Sequence, residues 1–285
     1  MLQTIINIHV ASILVLVMAL VSSVSLPLTQ ASSPIESDGP YVPMVQQLIT
    51  VVEDKMVSNE TAVEALLKEY VSFPSIAAMY EQHGDDTLAC ANWLRDVFER
   101  ELGMKDARLI PGGYRYPIVV GSTDGPDSTK PAVIIYGHYD IQPVDPVHLW
   151  DFPPFEMQKM KIDGYGEVFT GRGSSDNKGN SFAPISALMT LQQAIIGGLK
   201  SLPINIIMAI EGEEEIGSEG FRSFLEDNAE VFKNAQFVIN SDAGQNSLNR
   251  GALLLSMRGM MGAQIDVKGA NTDLHSGTYG GMSVS

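Results

Sequence analysis

Two uninterrupted apolar runs constrain the fold of this chain more than any other feature. They are Val133–Tyr136 and Ile206–Ile210, and neither alternates between polar and apolar residues as a half-exposed strand does. Both strands must therefore be buried on both faces, which is typical of a parallel sheet covered by helices. We predict an α/β fold, with a mostly parallel sheet and flanking helices. The strand patterns are Pro117–Gly121, Ala132–Tyr136, Ile204–Ile210 and Gln236–Asn240, and the helical patterns are Met44–Met56, Ala62–Val71, Thr87–Leu102, Ser181–Leu199 and Glu219–Asn228.

The charge balance excludes two classes of partner. With 18 Lys and Arg against 34 Asp and Glu, the chain carries a formal charge of −16. Nucleic acids and anionic membranes are bound through basic surfaces, so neither is expected as a partner. The one cysteine, Cys90, lies among apolar neighbours and is predicted to be a core residue. Any metal site must therefore be built from His, Asp and Glu.

The amino-terminal segment has a composition typical of a targeting signal. Residues 1–35 contain no Asp, Glu, Lys or Arg, and residues 10–21 are apolar except for Ser12. This run is short for a membrane span of roughly 20 residues and suits the hydrophobic part of a signal peptide. We predict a signal peptide over residues 1–31 and a secreted protein. A signal anchor and a mispredicted start codon are the alternatives.

Four segments that follow predicted strands carry histidine or carboxylate side chains. In open α/β sheets ligands bind beyond the carboxyl ends of the strands, so these segments are expected at one rim. Taken singly, each has a simpler interpretation: a buried His–Asp pair, a glycine-containing turn, a solvated acidic turn or a helix cap. The segments are His138 with Asp140, Asp176 in a glycine-rich loop, the run Glu211–Glu215, and Asp242.

The acidic run Glu211–Glu215 is the most informative of these segments. It holds four glutamates in five residues and directly follows a strand too apolar to be at the surface. Divalent cations would neutralise such a cluster at a buried strand end. Imidazole and carboxylate ligands suit Zn²⁺ or Mn²⁺. The number of carboxylates favours two ions about 3.5–4 Å apart, with one further glutamate as general base.

The same motifs, in the same order, resemble those of the M20 metallopeptidases, most closely the branch of carnosine dipeptidase and cytosolic nonspecific dipeptidase. The resemblance covers roughly Tyr70 to Gly281. The residues that carry it are Tyr70–Ser75, Gly137–Pro143, Trp150 with Pro153–Phe155, Gly171–Gly173, Asp176–Gly179, Glu211–Glu215 and Asp273–Gly277.

The resemblance implies a role for each metal ligand. His138 and Asp242 would bind one divalent ion, Glu215 the other, and Asp176 would bridge the two. Zinc is the expected metal, with manganese as the alternative. A non-proline cis peptide is also implied between Asp176 and Asn177.

Three further residues take catalytic roles by the same resemblance. Asp140 would orient the His138 ring, and Glu214 would act as general base on the attacking water. His275 resembles a lid-domain histidine that reaches across a dimer interface to the reaction intermediate. The resemblance thus implies hydrolysis of dipeptides or short peptides with a free carboxyl end, by a homodimer when the protein is full length.

One departure from the family pattern affects the domain organisation. In the family the catalytic domain resumes after the lid domain and supplies the last histidine ligand, for which this chain has no counterpart. We predict that residues 32–250 form the N-terminal part of the catalytic domain and that residues 251–285 begin the lid domain. Within the lid domain we predict an antiparallel strand at Ala263–Val267. An N-acyl amino acid amidohydrolase of the same fold and a non-catalytic truncated fragment remain alternatives. A nucleotide-binding protein is disfavoured because no glycine-rich phosphate loop opens a helix.

Overall fold

A computed structural model describes residues 60–112, 114–125, 127–196, 202, 204–242, 244, 254, 256–259, 261–266, 268 and 272–281. The chain divides into two compact units, Met1–Ala252 and Leu253–Ser285. The predicted helix Met44–Met56 and the predicted signal peptide lie outside the described residues. None of the helices in the described part of the chain combines the length and apolar character needed to cross a bilayer.

The first unit is built on a five-stranded sheet of order β1-β2-β6-β3-β7. The central strand β6 pairs parallel with β3, and β3 pairs parallel with β7, whereas β1 and β2 join through antiparallel pairings. The sheet is therefore mixed and mostly parallel, as expected from the apolar runs. A separate hairpin pairs β4 with β5. The strands are β1 Arg108–Pro111, β2 Pro117–Ser122, β3 Ala132–His138, β4 Gln158–Ile162, β5 Gly166–Thr170, β6 Asn205–Glu211 and β7 Ala235–Asn240.

Helices cover the centre of the sheet on both faces, whereas the edge strand β7 is largely exposed. Every residue of β6 is buried, with Ile206 and Met208 in a large core cluster and Ile207 and Ala209 in a smaller one. Because successive side chains of a strand point to opposite faces, this division confirms the interpretation of the apolar run. The helices are 60–72, Tyr80–Arg100, Lys178–Ile196 and Phe221–Asp227, with short 3₁₀ turns at Val147–Leu149, Glu214–Ile216 and Ala229–Phe232.

Some element boundaries differ from those predicted. The second described helix starts at Tyr80 rather than Thr87, because Gly84 is buried beside the rings of Tyr80 and Tyr116, and this packing outweighs the low helix propensity of glycine. Strands β1 and β4 are short and partly exposed, so they lack the apolar pattern by which strands are predicted. Cys90 is buried in the large core cluster, as predicted.

The second unit contains one short helix among its described residues, Ser276–Tyr279. A strand was predicted at Ala263–Val267, and this prediction is wrong for residues 263–266, which are not in a strand. These residues are exposed, so the alternation of their side chains has no buried face to pack against in this unit.

Candidate metal centre

The carboxyl ends of three parallel strands bring most of the predicted site residues to one edge of the sheet. His138 is the last residue of β3, and β6 beside it ends at Glu211, where the acidic turn begins. Asp242 follows the end of β7, on the other side of β3. Asp176 comes from the loop that joins β5 to helix Lys178–Ile196. The topology therefore produces the convergence expected from the four segments.

His138 lies at the centre of this group. Its side chain is fully buried, and its Nε2 lies 3.2 Å from Asp176 Oδ1, 3.7 Å from Glu214 Oε2 and 3.8 Å from Asp242 Oδ2. This buried nitrogen has no hydrogen-bond partner among the described residues. A buried polar atom without a partner is costly, and one that faces three carboxylates is placed as a metal ligand would be.

The electrostatics of His138 favour a positive charge at this point. Burial lowers the pKa of the imidazole, but the hydrogen bond to Asp140 and the charges of Asp140, Glu214 and Asp242 raise it to about 9. A proton on the ring would therefore offset part of the carboxylate charge in the metal-free chain. A bound divalent ion would replace that proton, because histidine ligates metals in its neutral form.

Two sets of three side chains at this edge could hold an ion. His138, Glu214 and Glu215 form one set, and His138, Asp176 and Asp242 form the other. In each set the candidate ligand atoms lie within 4.8 Å of one another. Imidazole with carboxylates is a donor set for Zn²⁺ or Mn²⁺, so these residues fit a divalent metal centre. Which side chain binds which ion stays a prediction.

Asp140 connects the histidine to the acidic turn. Its carboxylate lies 3.2 Å from His138 Nδ1 and accepts backbone hydrogen bonds from Glu214 at 3.2 Å and Glu215 at 3.0 Å. The carbonyl of Asp140 lies 3.0 Å from the same ring nitrogen. A proton on Nδ1 leaves Nε2 free to bind a metal. The fully buried Asp140 carboxylate therefore orients the His138 ring and also holds the backbone of the acidic turn.

Glu214 and Glu215 point towards the site from the short 3₁₀ turn. Burial raises the pKa of Glu214, and the charges of Glu215, Asp242 and Asp140 add to this, although His138 opposes it. Burial also raises the pKa of Glu215, while a 2.6 Å hydrogen bond donated by Gln142 Nε2 acts in the opposite direction. A raised pKa brings a carboxylate closer to the range in which a general base works at neutral pH.

The other two glutamates of the acidic run point away from the metal centre. Glu213 accepts hydrogen bonds from the backbone N–H groups of Arg115, at 2.7 Å, and Tyr116, at 3.1 Å. Glu211 accepts from the hydroxyl groups of Tyr136 and Ser218. The expectation that metal ions neutralise the whole run therefore needs correction, since two of its four carboxylates are hydrogen-bonded to neutral protein donors instead.

The residue that follows Asp176, Asn177, connects the loop to the rest of the site by hydrogen bonds. Asp176 is exposed over 69% of its side chain, and the peptide bond that follows it is cis, as the family resemblance implied. Asn177 is fully buried; it accepts a hydrogen bond from the His138 backbone and donates one to Asp242. Sequence reasoning placed Asn177 in a family motif and in the implied cis peptide but gave its side chain no role, and its amide beside Asp176 was the available signal.

Contacts from the amino-terminal side also hold the site, and sequence reasoning assigned them no role. Ser75 Oγ donates to the Tyr139 carbonyl at 2.6 Å, and the Ser75 carbonyl accepts from Ile141, so this turn holds the backbone on both sides of Asp140. The buried Lys178 ammonium donates to the carbonyls of Tyr70 and Phe73. Both contacts join residues far apart in sequence.

His275 lies in the second unit, Leu253–Ser285. It precedes helix Ser276–Tyr279, is exposed, and its Nδ1 accepts a hydrogen bond from the Gly277 backbone at 3.1 Å. Its catalytic role stays a prediction.

Gly212 is required by close packing against Tyr139. A Cβ at Gly212 would overlap the Tyr139 ring, which is fully buried and donates from its hydroxyl to the Pro117 carbonyl at 2.7 Å. We expect Gly212→Ala to lower the free energy of unfolding by about 1–3 kcal/mol, measured by urea denaturation, because the core must shift. Gly244→Ala is the control, since nothing lies within 4 Å of its Cβ. Equal effects in both variants would contradict this prediction.

Glu211 should make stability depend on pH. Burial raises its pKa to about 7 from 4.5, against the lowering effect of the hydrogen bonds from Tyr136 and Ser218. A group whose pKa is raised on folding binds more protons when folded, so its contribution is present below pH 4.5 and lost as pH rises through 7.

Glu211→Gln keeps the accepting oxygen and removes the charge. Between pH 4.5 and 7, the free energy of unfolding of the unsubstituted chain should therefore fall by up to about 3 kcal/mol relative to the variant. Urea denaturation in the presence of a chelator measures this difference, with Glu156→Gln as an exposed control. Parallel pH profiles for Glu211→Gln and the unsubstituted chain would contradict it.

Comparisons with known proteins relate this chain to a family of peptidases. Residues 134–257 match Peptidase family M20/M25/M40. The Cys-Gly metallodipeptidase of Schizosaccharomyces pombe is 37% identical over 66% of this chain and 36% of its own length. The human Beta-Ala-His dipeptidase is 34% identical over 61% of this chain and 33% of its own length. The chain thus spans about a third of the length of these curated relatives.

A solved structure extends the comparison to the fold. The crystal structure of human carnosine dipeptidase 1 superposes with a TM-score of 0.59 and 26% identity, over 69% of this chain and 41% of that one. The mostly parallel sheet with flanking helices is therefore shared with this peptidase.

The prediction of a secreted protein is wrong. The Cys-Gly metallodipeptidases of Schizosaccharomyces pombe, Candida albicans and Saccharomyces cerevisiae are cytosolic, and similarity to them does not support secretion. The prediction rested on the apolar run over residues 10–21, and apolar length by itself does not determine where a protein is located.

Residues 134–257 therefore match the Peptidase M20 family, and the chain has homologues among the Cys-Gly metallodipeptidases and the Beta-Ala-His dipeptidases, the branch that its motifs indicated.

Proposed function

We propose that this protein is a metallodipeptidase, which hydrolyses the peptide bond of dipeptides or short peptides with a free carboxyl end. The observation that carries the proposal is the buried His138 Nε2, which has no hydrogen-bond partner among the described residues and faces the carboxylates of Asp176, Glu214 and Asp242. The homologues support the same reaction class, since their names are those of dipeptidases.

We assign the metal ligands as the motifs indicate. His138 and Asp242 would hold one divalent ion, Glu215 the other, and Asp176 would bridge the two. The two sets of ligand atoms at this edge support that assignment, because they share His138 and supply carboxylates on both sides of it. We propose zinc as the metal, since a histidine with carboxylates is a frequent zinc donor set.

The protein residues then divide the work of hydrolysis. Bound ions would polarise the peptide carbonyl and make water a better nucleophile. Glu214 accepts a proton from the attacking water on its carboxylate and passes it to the amine that leaves. Asp140 keeps the His138 ring in the orientation and tautomer that leave Nε2 available, through the contacts at Nδ1.

The second unit has a proposed part as well. We propose that the full-length protein is a homodimer in which His275 assists the reaction of the partner subunit. Its exposure in this unit is consistent with a contact to another molecule. Light scattering of the full-length protein would measure the dimer, and a monomer would overturn this part of the proposal.

The function is tested by an assay of the full-length protein loaded with Zn²⁺ or Mn²⁺. The probes are Cys-Gly and β-Ala-His, after the names of the relatives, with the carboxyl-terminal amide of each dipeptide as matched control. We expect hydrolysis of the free dipeptides, slow turnover of the amides, and loss of activity with a chelator that is restored by metal.

Two results would overturn the proposal. A metal-loaded protein that cleaves neither dipeptide is not a dipeptidase of this class. Preferential cleavage of N-acetyl amino acids over dipeptides would instead identify an amidohydrolase of the same fold.

A further inference from the structure

Asn177 occupies a position from which one side chain contacts two parts of the proposed metal centre. It is fully buried at the start of helix Lys178–Ile196, directly after Asp176. Its Oδ1 accepts from the His138 backbone N–H at 3.1 Å, and its Nδ2 donates to Asp242 Oδ1 at 2.9 Å. The amide thus joins the end of β3 to the residue that follows β7.

The chemistry of the two partners determines the orientation of the amide. A backbone N–H can only donate and a carboxylate can only accept, so one partner needs an acceptor and the other a donor. Asn177 supplies both from one rigid group. The bond to Asp242 uses Oδ1, whereas Oδ2 is the oxygen that lies 3.8 Å from His138 Nε2.

The surroundings leave little room for this side chain to move. A Cβ at Gly137 would lie 2.8 Å from Asn177 Oδ1 and 2.9 Å from Ser241 Oγ, so the strand passes closely over the amide. The Asn177 carbonyl accepts from the Ser181 backbone at 2.7 Å, which anchors the residue to the helix. A side chain held in this way can transmit its position to Asp242.

We propose that Asn177 is a positioning residue of the metal centre, whose buried amide holds the Asp242 carboxylate in register with His138. The inference rests on the proposed function, in which His138 and Asp242 share an ion. It also explains why a neutral side chain is used: a carboxylate at position 177 could still accept from His138 but would face Asp242 with a second negative charge.

The variant Asn177→Asp keeps the shape and the acceptor, replaces the donor with a second acceptor, and adds a negative charge beside Asp242. We expect the affinity for Zn²⁺ to fall 10–100-fold, the usual effect of removing a group that orients a metal ligand. The probe is Zn²⁺ alone, titrated calorimetrically into the metal-free full-length protein. Asn92→Asp is the control, since it adds the same charge on the helix Tyr80–Arg100, and its Zn²⁺ affinity should stay within about twofold of the unsubstituted chain.

A second variant separates positioning from structural support. Asn177→Leu removes both bonds, so the His138 amide should exchange faster with solvent deuterium, whereas Asn177→Asp should keep that amide protected. The unfolding free energy, measured with a chelator present, shows how much of each effect is loss of stability. A purely structural role predicts that Zn²⁺ affinity and unfolding free energy change together in both variants.

The outcomes distinguish this inference from the function on which it rests. Unchanged Zn²⁺ affinity in Asn177→Asp, or equal protection of the His138 amide in both variants, would overturn the role of Asn177 and leave the metal centre in place. Failure of the unsubstituted full-length protein to bind Zn²⁺ would overturn the proposed metal centre itself, and with it this inference.

Discussion

Glu214→Gln is expected to lower kcat for dipeptide hydrolysis by about 10²–10⁴-fold while the protein keeps its metal content. Glutamine retains the size and the accepting oxygen of Glu214 but cannot take up the proton of the attacking water. The side chain is 37% exposed and lies 3.7 Å from His138 Nε2, at the edge where the metal ions would bind, and the proposed ligand assignment does not use it. Metal analysis and steady-state kinetics on the same preparation measure both quantities.

The control for this substitution comes from the same segment. Glu219→Gln makes the identical chemical change at an exposed residue, and kcat should not change. KM should change little in Glu214→Gln, because the carboxylate acts on the water and not on the substrate in the ground state. Near-normal kcat in Glu214→Gln would move the general base elsewhere, and loss of metal would make Glu214 a ligand.

Asp176→Ala is expected to remove both metal ions. As the proposed bridging ligand, Asp176 would serve two ions at once, so its loss should exceed the 10–100-fold effect of an orienting residue on metal affinity. The side chain is 69% exposed, and its Oδ1 lies 3.2 Å from the buried His138 Nε2. Such an exposed carboxylate contributes little to folding, so the free energy of unfolding of the metal-free chain should change by no more than about 0.5 kcal/mol.

Elemental analysis measures the loss of metal. Urea denaturation in the presence of a chelator measures the free energy of unfolding, which should be unchanged. Asp163→Ala is the matched control, since Asp163 is exposed in the turn between β4 and β5 and should affect neither quantity. Two tightly bound ions in Asp176→Ala would exclude the bridge. A single retained ion would assign Asp176 to one metal only.

The acidic turn shows how far sequence reasoning could go. The run Glu211–Glu215 directly after an apolar strand was sufficient to place carboxylates at a buried strand end. Residue type alone could not distinguish the glutamates, because each one is equally acidic, and only the family resemblance singled out Glu214 and Glu215. The structure shows that Glu211 and Glu213 accept hydrogen bonds from other parts of the protein. Glu211 accepts from Tyr136 and Ser218, and Glu213 accepts from the backbone of Arg115 and Tyr116.

Contacts distant in sequence account for most of what was missed. Asn177 and Asp242 are hydrogen-bonded across 65 positions, and Ser75 and Tyr139 across 64. Neither pair shares a periodic pattern, so no local signal connects the partners. Local patterns also failed at short, partly exposed strands such as β1 and β4, where burial is too small to select an apolar sequence.

The sequence by itself determined the class of the fold and the kind of chemistry. Its apolar runs require burial on both faces of a sheet, and its histidine and carboxylates follow those strands, because both properties depend only on residue type and order. The tertiary structure decided which polar groups meet. Hydrogen bonds form only between groups that packing brings to about 3 Å from each other. Folding therefore brings Glu214 and Glu215 to His138, and Asn177 to Asp242. It directs Glu211 and Glu213 to other hydrogen-bond donors.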